Sequence, residues 1–188
     1  GNADDTVVGV GEQLKKVLEE KYHVAVCHDL SVYDMQDGKE DRNKAYSQAA
    51  VAVQNLLDEH PSIEVTIDLH RDGVPDNVHL ETEINGKKTA KIMFLNGLCR
   101  NSNGDVNDFA QNPNLSDNLA FSLQLQLKAK AYFPELVRHI YLRAYRYNLH
   151  FKPRSLLVEV GAQNNTVAEA KNAMEPLADI LYAVLSGK

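Results

Sequence analysis

Two short stretches concentrate side chains able to do chemistry. Asp68, His70, Arg71 and Asp72 pack three charges and an imidazole into five positions behind an apolar run. Glu159 lies inside Leu156-Leu157-Val158-Glu159-Val160-Gly161, a carboxylate among apolar residues. Burying a carboxylate unpaired is costly, so Glu159 must meet a metal, a cation, a hydrogen-bond donor or a cavity. On a strand, Asp68 and His70 point to one side and Arg71 to the other. Histidine is a common zinc ligand, and a catalytic zinc keeps one position open for water. Zinc brings the pKa of that water to about 7 and polarises a carbonyl. A nearby glutamate can then shuttle the proton. Metal-assisted hydrolysis is therefore the chemistry these types suggest, although one His and one Glu are not a three-ligand site. The plainer readings are a Glu159 salt bridge to an arginine and a His70 hydrogen-bonded at a strand end.

The other histidines fit that chemistry less well. His28 ends an apolar run and precedes Asp29, near the same expected sheet edge. His150 sits just upstream of the Glu159 strand and is a candidate for lining the cleft. His23, His60, His79 and His139 fall in turns or at element ends and read as solvated. The chain has no phosphate-cradling glycine loop, no G-x-S-x-G elbow and no H-E-x-x-H. Tyr141, Tyr145 and Tyr147 read as strand surface, with stacking on a sugar as the alternative.

The elements that must position these groups alternate. A helical period covers about residues 5–21 through Val7, Val10, Leu14, Val17 and Leu18. Residues 24–27 read as a short buried strand and 29–41 as a polar loop. A second helix spans about 42–59, with Tyr46, Ala49, Val53, Leu56 and Leu57 on its buried side; Pro61 ends it. Residues 63–69 form the next strand, so His70 falls just past its end. Residues 80–95 read as a hairpin around Asn85-Gly86. Residues 96–113 are loop-like, and a third helix covers 115–132 with Leu115, Leu119, Leu123 and Leu127 four apart. Residues 140–147 are extended and 155–160 are a buried strand. Thr166 then caps the last helix with Glu169 in a capping box, and Pro176 bends that helix or marks a boundary.

This order predicts a single three-layer α/β domain, with a mostly parallel sheet and helices on both faces. Ligands in such sheets bind beyond the carboxyl ends of strands. The 188 residues suit one domain, and 44% hydrophobic content supports a core. A net charge of −6, with no Lys/Arg run longer than two, argues against a nucleic-acid partner. Cys27 and Cys99 are too few for a disulfide framework and read as small buried residues. No apolar run reaches the ~18 residues of a membrane span. The chain opens Gly1-Asn2-Ala3-Asp4-Asp5 without an initiator Met and is expected to be a piece of a longer protein.

Ile67-Asp68-Leu69-His70-Arg71-Asp72 and Leu156-Leu157-Val158-Glu159-Val160-Gly161 resemble the stage II sporulation protein P family of Gram-positive spore formers. Further pieces agree in order. They are Val8-Gly9-Val10-Gly11, Tyr33-Asp34, Ala45-Tyr46-Ser47, Pro61-Ser62-Ile63 and Ile84-Asn85-Gly86-Lys87. Ile140-Tyr141-Leu142-Arg143-Ala144-Tyr145-Arg146-Tyr147-Asn148 and Asn164-Asn165-Thr166 complete the pattern. The resemblance covers nearly the whole chain.

It implies the fold of zinc-dependent cell-wall amidases. It also implies cleavage of the amide joining N-acetylmuramic acid to L-alanine during engulfment, with endopeptidase activity on peptide cross-links beside it. By resemblance His70 is a zinc ligand and Glu159 the catalytic glutamate, with Arg71 and Asp72 supporting or orienting substrate. Peptidoglycan, a stage II sporulation protein D-like partner and an extracytoplasmic, membrane-anchored parent are implied as well. The family carries a His-x-His-x-x-Glu motif upstream of the first helix, and residues 1–188 do not contain it. The domain is therefore expected to lack its first metal-binding strand, to hold zinc poorly, and to expose a sheet edge or face that this strand would cover. A non-catalytic wall-binding or scaffold domain of the same fold is the alternative. The sequence just before Asn2 discriminates the two.

Overall fold

The computed structural model describes every residue except Gly1, Asp34, Asp37, Gly38 and Asp41, and the backbone alone for residues 35–36, 39–40 and 42–43. Asp34 of the Tyr33-Asp34 pair therefore lies outside the described residues. After a 3-10 turn at Ala3–Asp5, α1 runs Val7–Tyr22. Thr6 caps it by accepting from the Val8 N–H, and His23 closes it in the left-handed conformation. A small antiparallel hairpin follows, β1 (Met35–Gln36) with β2 (Lys39–Glu40), and then α2 (Arg42–Glu59). Next come β3 (Val65–Asp72), β4 (Glu81–Ile84), β5 (Lys87–Ala90), β6 (Ile92–Gly97) and α3 (Leu115–Tyr132). The chain ends with β7 (Tyr141–Arg143), β8 (Arg154–Ala162), α4 (Val167–Asn172) and α5 (Met174–Leu185).

The main sheet has the order β3-β8-β6-β7. β3 pairs parallel to β8 and β7 parallel to β6, while β6 runs antiparallel to β8. Strand alternation sorts the side chains onto two faces. Ile92, Phe94, Leu156, Val158 and Val160 enter a core with Val10, Leu14 and Leu18 of α1, Phe121, Leu125 and Ala129 of α3, and most of α5. The opposite face carries Leu95 and Leu157, packed with Leu149 and Tyr147, and the polar residues of β3 and β8. On that side α2 contributes Tyr46, whose ring meets Tyr147 edge-on at 5.5 Å.

Several expectations shift. Residues 24–27 form no strand and pair with none among the described residues; Val24 and Val26 touch the core, while Cys27 is exposed and Cys99 is buried. The 29–41 stretch contains the β1/β2 hairpin. The Asn85-Gly86 turn is present with both residues at positive φ, but its return strand is split: β5 pairs with β4, and β6 joins the main sheet. In α3 the inward face is Asn118, Phe121, Ser122, Leu125 and Ala129, so Leu123 and Leu127 face solvent. Two of those inward residues are polar because they have partners. Asn118 donates to the carbonyls of Lys152 and Pro153, and Ser122 bonds Asn96. β3 runs past Leu69, which places His70 within the strand.

The end of β8 is set by one turn. Gly161 has φ 61, and a Cβ there would press on the Asn165 side chain. Asn165 accepts from the Ala162 N–H and donates to Leu80 O and Glu169 Oε2. Asn165→Ala leaves these buried groups unpaired and is expected to cost about 2–3 kcal/mol in urea denaturation. An unchanged midpoint would show that the turn holds itself.

Candidate active site

β3 and β8 lie side by side, with His70 and Glu159 as register partners. On the same face, Asp68 Oδ1 stands 3.0 Å from His70 Nε2. A bulge between His70 and Asp72 re-aims the strand end. Together these elements bound a cavity of about 340 Å³. Leu157, Met93 and Leu95 form its floor, Tyr46 closes one side, and Tyr141, Arg143 and Tyr147 close another. The site therefore sits on a face of the sheet, near the carboxyl ends of β3 and β8. A larger cavity of about 390 Å³ lies between residues 99–110 and 144–146, but no carboxylate or histidine lines it. The chemistry accordingly belongs to the smaller one.

The electrostatics of this cavity are unusual for surface residues. Burial pushes the Glu159 carboxyl up; the His70 charge opposes that, and Asp72 and Asp68 add to it. Glu159 Oε2 is buried and has no hydrogen-bond partner among the described residues. Burial alone would lower the His70 imidazole, but the hydrogen bond and charge of Asp68, with the charge of Glu159, raise it on balance. Tyr46 stacks nearly parallel to the His70 ring at 6.4 Å, and burial, then the charges of Asp68 and others, raise its hydroxyl.

An orphaned carboxylate oxygen beside an imidazole suits a cation. With Nε2 facing Asp68, Nδ1 is the ring nitrogen that Asp68 does not engage. A carboxylate on the other nitrogen is the usual way a metal-ligating histidine is oriented. The donors fit zinc, but they are an incomplete set, because catalytic zinc takes three protein ligands and His70 is the one imidazole on this wall among the described residues. A second group, His79, Glu81 and Glu169, has ligand atoms within 4.8 Å of one another and lines neither cavity. There Glu169 Oε2 already accepts from His79 Nε2, Asn165 Nδ2 and the Thr166 N–H, so the capping box accounts for it.

The other expected site residues divide. Asp72 lines the cavity, and Arg138 holds it at 2.6 Å. Arg71 points away and donates to the carbonyls of Ala162, Gln163 and Asn165, pinning the loop after β8. His150 does not line this cavity: its ring packs at 4.2 Å on Phe151, with Nδ1 buried and without a partner among the described residues. His28 bonds Glu12 beside α1 and is also absent from the cavity wall. Tyr46 and Arg143 are wall residues that hydropathy and motif reading missed. Strand alternation was the usable signal for Arg143, which shares a face with Tyr141.

Burial, then the charge of Arg146, pulls the His150 pKa down to about 4. The folded state therefore favours neutral His150. Its contribution to stability is present above the ordinary histidine value of about 6.5 and is lost as pH falls towards 4. His150→Gln is expected to flatten this acid limb in denaturation at pH 4–7, and an unchanged limb would show that other groups set it.

Residues 1–182 match the model of a protein family described as Stage II sporulation protein P. The fold is similar to that of the CwlD amidase from Clostridioides difficile, solved in complex with the GerS lipoprotein. That match has a TM-score of 0.57 at 12% identity and covers 96% of this chain and 82% of the other. The N-acetylmuramyl-L-alanine amidase Ami1 from Mycobacterium smegmatis matches with a TM-score of 0.51 at 14% identity, over 95% and 72% of the two chains. No curated protein matches the sequence.

Proposed function

The chain belongs to the stage II sporulation protein P family, and on that footing we propose that it is a peptidoglycan hydrolase acting in sporulation, cleaving the amide between N-acetylmuramic acid and L-alanine. The observation that carries this reading is the pairing of His70 with Glu159 across β3 and β8, with both residues on the cavity wall and Glu159 Oε2 buried without a hydrogen-bond partner among the described residues. Activity on peptide cross-links, an extracytoplasmic location in a membrane-anchored parent and a stage II sporulation protein D-like partner belong to the same reading and rest on family membership. Among the described residues, no helix is long and apolar enough to cross a membrane.

In this mechanism His70 would hold zinc, with its ring oriented by Asp68. The remaining ligands are those of the His-x-His-x-x-Glu stretch that the family resemblance implies. When bound, zinc would supply an acidified water, with a pKa of about 7, and a Lewis acid for the scissile carbonyl. Glu159 accepts a proton from the attacking water as the new C–O bond forms. It then returns that proton to the alanine nitrogen as the C–N bond breaks. A raised Glu159 pKa suits this double task, since the acid form is within reach after each transfer. Asp68 orients the imidazole, the Arg138 pair fixes Asp72 at the cavity wall, and Arg71 steadies the β8 end that carries Glu159.

The incomplete donor set favours a second reading, a wall-binding or scaffold domain that kept the fold without the metal. The test uses full-length protein and soluble muramoyl peptides. Chelation is expected to stop cleavage, and one equivalent of zinc to restore it. Cleavage that persists without metal would exclude the zinc mechanism, and binding without cleavage under either condition would favour the scaffold.

A further inference from the structure

The wall of the candidate site is acidic. Asp72 and Glu159 line it, and Asp68 lies behind His70. Asp72 already has its cation in Arg138. Arg143 is the one arginine or lysine on the cavity wall, and its hydrogen-bond partners among the described residues are not carboxylates. Its partners are neutral phenols: Nη1 donates to Tyr141 Oη at 3.2 Å and Nε to Tyr147 Oη at 3.5 Å, and the guanidinium lies 5.6 Å from the Tyr141 ring centre. Two tyrosines thus hold an exposed guanidinium in place without neutralising it. A guanidinium has five N–H donors in a rigid fork that matches a carboxylate, so the Nη2 side remains available for a bidentate pair.

The register sets its reach. β7 lies two strands from β8, and Arg143 faces Gly97 whereas Glu159 faces Met93. With strands ~4.8 Å apart and a rise of ~3.3 Å per residue, the two backbones are roughly 16 Å apart along the sheet. Two long side chains reaching into one cavity shorten that gap to the span of one or two extended peptide residues, ~3.5 Å each.

Resting on the amidase reading above, we propose that Arg143, positioned by Tyr141 and Tyr147, is a specificity-determining residue that binds a carboxylate on the leaving peptide, on the residue after the alanine whose amide is cleaved. The bland role for such an arginine is to cover Tyr141 on an edge strand. That role would not discriminate between charged and neutral peptides.

The test compares two muramoyl tripeptides, with the α-carboxylate of the second peptide residue free or converted to a primary amide. Full-length zinc-loaded protein is expected to prefer the carboxylate form in kcat/KM, mainly through KM, by on the order of 10- to 100-fold. Arg143→Gln should bring that ratio to about one, and Arg143→Lys should restore part of it, because the charge returns without the fork. Calorimetry on the Glu159→Gln protein gives a readout free of turnover: the same preference should appear in binding and vanish with Arg143→Gln. A wild-type protein with equal affinity for the two tripeptides, or a preference that survives Arg143→Gln, overturns the proposal. Binding preference without any cleavage upholds the carboxylate site and rejects the amidase reading instead.

Discussion

Glu159→Gln is expected to lower kcat for amide hydrolysis on the order of 10²–10⁴-fold while the protein stays folded and keeps its metal. The variant keeps shape and volume but cannot accept a proton. Its effect on stability should have the opposite sign. Glu159 sits in the cavity wall with one oxygen buried and unpartnered. Its carboxyl is raised by burial and the neighbouring acids. A carboxyl raised in the folded state stabilises below its unfolded pKa, and that stability is lost as pH rises through the folded value. Above that value the wild type carries an ionised, poorly solvated carboxylate and the glutamine does not. Denaturation of the metal-free proteins at neutral pH should therefore find Glu159→Gln as stable as wild type or more so. A loss of activity accompanied by loss of fold would make Glu159 a structural residue.

The second large effect is expected at the imidazole. His70→Ala removes the one histidine on the cavity wall among the described residues, and bound zinc should fall below one equivalent in metal analysis of the full-length protein. Asp68→Asn tests the orienting hydrogen bond separately. It retains His70 but loses the carboxylate 3.0 Å from Nε2, and zinc affinity should drop about 10–100-fold. The two variants together separate a ligand from the group that aims it. Unchanged zinc in His70→Ala would move the metal elsewhere, with His79, Glu81 and Glu169 the next cluster to test.

Elements and site residues were legible where local rules decide. The α3 boundaries follow from hydropathy and the preceding polar loop, the α4 start from the Thr166–Glu169 capping box, and the β4/β5 turn from Asn85-Gly86. His70 and Glu159 stood out because each breaks an apolar strand pattern, and strand pairing then explains why they meet. What was not legible depends on partners distant in sequence. The inward face of α3 does not follow from its four-apart leucines, because Asn118 and Ser122 turn inward where residues 152–153 and 96 satisfy them. Residues 24–27 have a strand composition but no neighbouring strand to pair with among the described residues. Arg71 shares the site's stretch yet points to the other side of β3, as its parity requires, and binds backbone carbonyls. Tyr46 reads as an ordinary buried helix residue, and only the tertiary structure brings its ring over His70.

The most direct measurement uses purified peptidoglycan sacculi treated with full-length, zinc-loaded protein beside its Glu159→Gln variant, with the new ends identified by amine labelling and mass spectrometry. The expected result is release of stem peptides with free L-alanine amino groups, leaving glycan strands with free lactyl carboxyls, by the wild type alone. Sacculi that stay intact, or new ends at any bond other than the muramoyl–alanine amide, would contradict the assignment of amidase chemistry to the His70–Glu159 site.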